Sequence, residues 1–349
     1  MKIAVYAISK NEEKHVKRFC ESAKDADLIV IADTGSEDKT VEIGRQCGAQ
    51  VYEVLVSPFR FDAARNAALA LVPKDVDVCV SMDLDEVLLP GWRDYVEKIF
   101  NDGHTRMGFG FDSGNGLVFY PSRIHARHGY YWKYVCHEYI TPDPRCKDIY
   151  AQTDDILMRH LPDTTKSRGQ YIDMLEMGAK EDPACSRMAY YLGREYTYHQ
   201  RWDDATKELQ RYLLLPRSMW PLERSHAMRM IGGSVENAGG DGVRWFRIAC
   251  AEDPTIRENW YELAYVCYKK DMWPECYGAG KTALGITKNL AQHTYNAAAW
   301  GYLPHDLVAL SAHNLGLKDE AVKHGQIAVD MAPDIERLKT NLKFYKEAQ

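Results

Sequence analysis

Apolar runs and amphipathic stretches alternate through the first ninety residues. Ile3 to Ile8 is continuously apolar, and Asn11 to Ala23 places Val16, Phe19, Cys20 and Ala23 at helical spacing. Leu28 to Ala32 is a second apolar run, Lys39 to Cys47 a second helical stretch, and Gln50 to Val56 a third run. Asp62 to Leu71 again has helical spacing, and Val76 to Met82 runs into Asp83-Leu84-Asp85. Short buried strands separated by helices predict a mainly parallel sheet covered on both faces. Ligands of such sheets bind at the carboxyl ends of the strands. The polar clusters after Ile8, Ala32 and Met82 all fall on that edge.

Residues 104 to 160 change character. Gly108, Gly110, Gly114 and Gly116 mix with Arg123, His125, Arg127 and His128, which predicts irregular strands and loops that complete a site. From about Asp182 the pattern is helical to the end. Leu192 to Ala205, Leu263 to Cys276 and Val308 to Ala321 superpose as helix, polar turn and second helix, and Trp273 follows Trp202 by 71 positions. That spacing, about twice 34 residues, is the signature of tetratricopeptide-type hairpins. Glu223 to Ala251 is a degenerate unit, weakened by Gly232-Gly233 and Gly239-Gly240. The expected arrangement is three or four imperfect hairpins stacked as a short solenoid.

Composition narrows the function without naming it. A net charge of -6 gives no broad basic field for nucleic acid or anionic membrane. Nine cysteines, with no Cys-x-x-Cys pair, read as reduced thiols. No run reaches the roughly 18 apolar residues of a membrane span. The apolar N-terminus is too short for a signal peptide, so a cytoplasmic protein is expected.

The chemistry centres on Asp83-Leu84-Asp85-Glu86. Strand alternation would turn both aspartates to one side and Leu84 into the core. Two such carboxylates are costly to bury unpaired, and hard oxygen ligands suit Mg²⁺ or Mn²⁺. An acidic turn that caps the next helix is the plainer reading of the same residues.

Residues 2 to 90 resemble the donor-binding half of family 2 glycosyltransferases, which have the GT-A fold. Four elements carry the resemblance in order: Ser9-Lys10-Asn11-Glu12-Glu13, Asp33-Thr34-Gly35-Ser36-Glu37-Asp38-Lys39-Thr40, Phe61 to Leu69 with Arg65 at its centre, and Ser81-Met82-Asp83-Leu84-Asp85-Glu86. The appended repeats resemble a bacterial and phage subgroup of these enzymes. The resemblance implies an α/β GT-A nucleotide-diphospho-sugar transferase domain at 1–165 and an all-α, tetratricopeptide-like repeat domain at 166–349. It implies a metal-dependent, inverting glycosyltransferase using a nucleotide-sugar donor, with UDP expected. Ser9, Asn11, Glu12, Asp33, Gly35, Arg65, Asp83 and Leu84 would line the donor. Asp83, Asp85 and His160 would hold Mn²⁺ or Mg²⁺. Glu138 would act as the base, with Asp112 as its rival, because His137-Glu138 departs from the usual pair of acidic residues. The acceptor stays open among glycan, peptide and modified nucleic-acid base. The repeats offer a groove for a partner, a large acceptor or self-association. The alternative is an interaction scaffold whose transferase domain is inactive.

Overall fold

The computed structural model describes residues 1–114, 118–161 and 171–347. The domain boundary expected at 165 lies outside them. The chain divides into two compact units, Met1–Gly178 and Ala179–Gln349.

The first unit begins with the predicted alternation: β1 (Ile3–Ser9), α1 (Val16–Ser22), β2 (Leu28–Asp33), α2 (Thr40–Gln46), β3 (Gln50–Glu53), α3 (Phe61–Leu71) and β4 (Val78–Ser81). It continues with β5 (Glu86–Leu88), α4 (Trp92–Asn101), β6 (Arg106–Asp112), β7 (Val118–Phe119), β8 (Ile124–Ala126), β9 (Tyr130–Lys133), β10 (Tyr139–Pro142) and β11 (Tyr150–His160). The main sheet runs β3-β2-β1-β4-β8-β6-β11-β5, with β7 beside β6; β9 and β10 form a separate ribbon. Pairing is parallel from β3 to β4. It turns antiparallel at β8, which lies against both β4 and β6, while β11 runs parallel to β6 and β5 antiparallel to β11. The sheet is therefore parallel in the half where helices intervene and mixed beyond it. β6, β7 and β8, and likewise β9 and β10, follow one another without an intervening helix and pair antiparallel, as short connections favour.

Both faces of β1 are buried. Ile3, Val5 and Ala7 join a core with Phe19, Ile31, Met82, Leu84 and Trp92. Ala4 and Tyr6 join another with Ala68, Leu69, Val72 and Trp132. The period of two explains why the run reads as continuously apolar. Helix α1 starts at Val16, not at Asn11 as its spacing suggests. Residues 11 to 13 are used instead to tie two loops together, as described below.

The second unit is helical. Helix α5 (Tyr171–Glu181) leads into it, followed by α6 (Ser186–Tyr198), α7 (Trp202–Leu214), α8 (Pro221–Asn237), α9 (Val243–Glu252), α10 (Arg257–Lys269), α11 (Trp273–Gly285), α12 (Leu303–Asn314), α13 (Lys318–Met331) and α14 (Glu336–Glu347). Neighbours pack as four hairpins, α6/α7, α8/α9, α10/α11 and α12/α13, with α14 against α13. The Gly232-Gly233 pair does not interrupt α8. A Cβ at Gly232 would stand 2.7 Å from the Phe246 ring, so its absence is what admits α9. Close helix packing outweighs the roughly 1 kcal/mol propensity cost of glycine. Gly239 turns the chain with φ +86°. Tyr190 is core, whereas Trp202 and Trp273 are half-buried at the starts of their helices. Among the described residues no helix is long and apolar enough to cross a membrane, and all nine cysteines are free.

Candidate active site at the end of the fourth strand

The loops after β1 and β2 are laced together by hydrogen bonds. The Asn11 N–H donates to Ser36 Oγ (2.8 Å), and Asn11 Oδ1 accepts from the Glu37 N–H (2.8 Å). The Glu12 N–H donates to Thr40 Oγ1 (2.6 Å). Asn11 itself has φ +55°, a left-handed conformation that asparagine tolerates better than most residues. Asp33, at the end of β2, is buried and accepts from Ser9 Oγ (2.8 Å), the Gly35 N–H (3.1 Å), the Ser36 N–H (2.8 Å) and Ser36 Oγ (2.5 Å). Asp33 thus organises the edge of a cleft of about 440 Å³ that Gly35, Ser36, Glu53 and Leu55 also line. That volume is in the roughly 300–1,000 Å³ range of small-molecule sites.

Beyond β4 the chain leaves strand geometry, and Asp83-Leu84-Asp85 forms a turn into β5. The Glu86 N–H donates to the Asp83 carbonyl (3.1 Å), and Glu86 Oε2 accepts from the Asp83 N–H (2.8 Å). The turn still buries Leu84 in the core, so Leu84 has only its backbone to offer a ligand. The two aspartates go to different partners. Asp83 Oδ1 accepts from Arg65 Nη2 (2.7 Å), and its Oδ2 lies 3.5 Å from Arg123 Nη1. Asp85 Oδ2 lies 3.3 Å from His160 Nε2.

His160 reaches Asp85 because β11 shifts register twice against β6 before its end. Such bulges re-aim side chains. After the second shift Arg159 sits opposite Asp112, and His160 opposite Glu86 of β5. The hydrogen bond to Asp85 raises the His160 pKa above its ordinary value.

Arg65 of α3 is the hub. Its side chain is 6% exposed and bridges Asp83 to Glu138, whose Oε1 accepts from Arg65 Nε at 2.5 Å. The guanidinium also lies over Trp132, 4.9 Å from the ring centre. Among the described residues Arg65 Nη1 is buried without a hydrogen-bond partner. Burial would lower the Arg65 pKa, but Asp83 and Glu138 raise it well above the usual range. Burial also opposes ionisation of Asp83, yet Arg65 and Arg123 hold its carboxyl below the usual value. Glu86 is raised, first by burial. Tyr134 and His137 adopt φ +82° and +50°, so the loop that presents Glu138 is held in a costly conformation, as functional loops often are.

Asp112 is outside this cluster. It accepts from the Gly114 N–H (2.9 Å) and from Arg159 Nε (2.8 Å), which hold its pKa low. Of the aromatics near Glu138, Tyr130 and Trp132 are core, and Trp132 Nε1 donates to the Tyr6 hydroxyl (2.7 Å). The sequence places Glu86 in the acidic cluster and Arg123 in the segment expected to complete the site, but assigns neither a role. The signal available for Glu86 was its place directly after Asp85; for Arg123 there was only a local abundance of basic residues.

Asp85 and His160 supply an oxygen and a nitrogen suited to a divalent cation. Donor atoms on adjacent corners of an octahedral ion with bonds of about 2.1 Å lie about 3.0 Å apart, near the spacing seen here. Among the described residues no group of three or more His, Cys, Asp and Glu converges as ligands. A Mg²⁺- or Mn²⁺-type site with few protein ligands takes the rest from phosphate and water.

Residues 5–154 match the family described as glycosyl transferase family 2. The first unit thus carries a domain of that family. Two curated relatives, from Rickettsia bellii (strain RML369-C) and Rickettsia felis (strain ATCC VR-1525 / URRWXCal2), are each named an uncharacterized glycosyltransferase. They are 33% identical over 100 and 101 residues, 28% of this chain in both cases. The chain spans about a third of their length, 33% and 34%. Among solved structures it is similar to MamA (17% identity, TM-score 0.37, 46% of this chain and 85% of that one). It is also similar to YrrB, described as a TPR protein with an unusual peptide-binding site (11% identity, TM-score 0.39, 50% and 83%).

Proposed function

We propose that the protein is a cytoplasmic, metal-dependent, inverting glycosyltransferase acting on a nucleotide-diphosphate sugar, UDP being the expected nucleotide. What supports the reading is one connected cluster in a family 2 domain: Asp85 beside His160, and Arg65 joined to both Asp83 and Glu138. Three carboxylates (Asp83, Glu86, Glu138) pair with two guanidiniums (Arg65, Arg123), and Asp85 in the same turn pairs with His160, leaving two negative charges when His160 is neutral. A divalent cation balances that surplus, and carboxylates clustered without compensation are costly.

The nucleoside end of the donor lies in the cleft that Asp33 and Gly35 line, while Ser9, Asn11 and Glu12 hold its wall in place by hydrogen bonds to Asp33, Ser36 and Thr40. Asp85 and His160 would hold the cation, which would supply charge neutralisation for a leaving diphosphate. Asp83 orients Arg65, whose unpartnered Nη1–H points to an anionic group of the donor as its missing acceptor. Glu138 removes the proton from the acceptor hydroxyl as its oxygen attacks the anomeric carbon and the nucleoside diphosphate leaves. The helical unit receives a protein partner or a large acceptor.

The test is release of nucleoside diphosphate from a panel of nucleotide sugars with Mn²⁺. Turnover is expected with at least one donor. Full activity of the Asp85→Ala variant would remove this assignment of the site.

A further inference from the structure

Arg123 occupies a place that the reading above leaves unused. It stands immediately before β8, and its carbonyl accepts from the Ser81 N–H (3.0 Å) at the end of β4. Its backbone is thereby fixed beside the strand that delivers the acidic turn. The side chain, 16% exposed, spans two parts of that turn: Nη2 donates to Glu86 Oε1 (2.7 Å), and Nη1 lies 3.5 Å from Asp83 Oδ2. The guanidinium also lies over Phe111, 5.2 Å from the ring centre. Phe111 in turn stacks on the His160 ring at 6.1 Å and 28°.

We propose that Arg123 is a positioning residue of this site, holding the Asp83–Glu86 turn and, through Phe111, the His160 ring in one fixed arrangement. The proposal rests on the reading of the cluster as the donor site. Arg123 acts through other side chains: one guanidinium fork sets the Asp83 carboxylate against Arg65, anchors the buried Glu86 that closes the turn, and covers the aromatic ring beneath the imidazole. A planar fork does this where a single ammonium cannot, because two carboxylates and a ring face require three directions of contact. Glu86 supplies the complementary half, since one of its oxygens binds the turn's own backbone and the other binds Arg123.

The experiment compares Arg123→Met, Glu86→Gln, their double variant and Arg123→Lys in the full chain. Readouts are the thermal midpoint, turnover with the best donor, and affinity for Mn²⁺ alone. Arg123→Met leaves Glu86 buried and unpaired and is expected to lower the midpoint. The double variant keeps the local charge balance and is expected to recover it. If Arg123 positions the site, the double variant still loses turnover by at least about tenfold, as misplacement near a reacting centre does. Arg123→Lys is expected to recover the midpoint in part and turnover by less than the midpoint. A double variant with wild-type turnover overturns the proposal, since Arg123 then only neutralises Glu86. A wild type inactive on every donor counts against the transferase reading, and Mn²⁺ affinity then decides the role of Arg123. Weaker binding in the charge-balanced double variant supports the role, and unchanged or undetectable binding overturns it.

Discussion

Each unit buries an arginine among carboxylates, and the two cases differ in what is left over. In the helical unit Arg229 of α8 donates to Glu262 Oε1 (2.5 Å) and to the Thr294 carbonyl (3.3 Å). The neighbouring Glu258 accepts from the Trp300 indole (2.8 Å) and the Asn296 N–H (3.4 Å). The segment between α11 and α12 thus supplies partners for those groups from within the chain, while Arg229 Nε stays buried without one. In the sheet unit Arg65 and Arg123 pair with three carboxylates, Asp83, Glu86 and Glu138, and Asp85 beside them pairs with His160, so negative charge exceeds positive when that ring is neutral. Each network leaves one arginine nitrogen buried without a partner, Arg229 Nε and Arg65 Nη1, so the two differ in charge balance and not in completeness.

Substitutions can break this contrast. The largest effect is expected from Asp85→Ala, with nucleoside diphosphate release falling about 10³-fold and the midpoint of urea unfolding nearly unchanged, because the lost group is one that stabilises developing charge. Glu138→Gln should lower kcat by about 10²-fold or more, and Asp112→Asn by less than about threefold. The reverse order in steady-state kinetics would make Asp112 the base. Arg229→Met should do the opposite of Asp85→Ala, costing about 2 kcal/mol in urea unfolding by taking the guanidinium from Glu262 and leaving it Asn296 Nδ2 (3.2 Å), with turnover preserved at low temperature. Lost turnover in a folded Arg229→Met protein would dissolve the distinction between the two networks.

The smallest effect concerns pH. The His160 value is raised in the folded state, so the pair with Asp85 stabilises fully below the ordinary imidazole value of about 6.5. That contribution is lost as pH rises through the higher folded value. His160→Asn should therefore cost a few tenths of a kcal/mol near pH 6, as for a partly exposed pair, and nothing near pH 9. An equal cost at both pH values in urea unfolding would show that the ring serves packing and not charge.

Much of this was legible in the sequence, for reasons that particular residues illustrate. Strands β1, β2 and β4 announce themselves because both faces are covered, so Ile3 to Ile8 is apolar throughout. The hairpins announce themselves by repeated polar turns. The start of α1 was missed because Asn11 and Glu12, which suit a helix start, are used by the neighbouring loop. Residues 104 to 160 register only as irregular strands and loops because β7 to β10 are two to four residues long, too short for a period to show. The proximity of Asp85 and His160 was expected from a family pattern; the register shifts that bring them together leave no periodic trace.

The sequence by itself determined the local order of elements, the division between a strand-and-helix half and a helical half, and the acidic turn at a strand's end. These depend on side chains a few positions apart, whose spacing decides which face is buried. Only the tertiary structure decided that Arg65 joins Asp83 to Glu138 across 18 and 73 positions, and that Arg123 joins Glu86 across 37. Charged residues carry no period that names a distant partner. Their pairing is set by which strand ends the sheet brings together, and by the cost of leaving any of those charges alone.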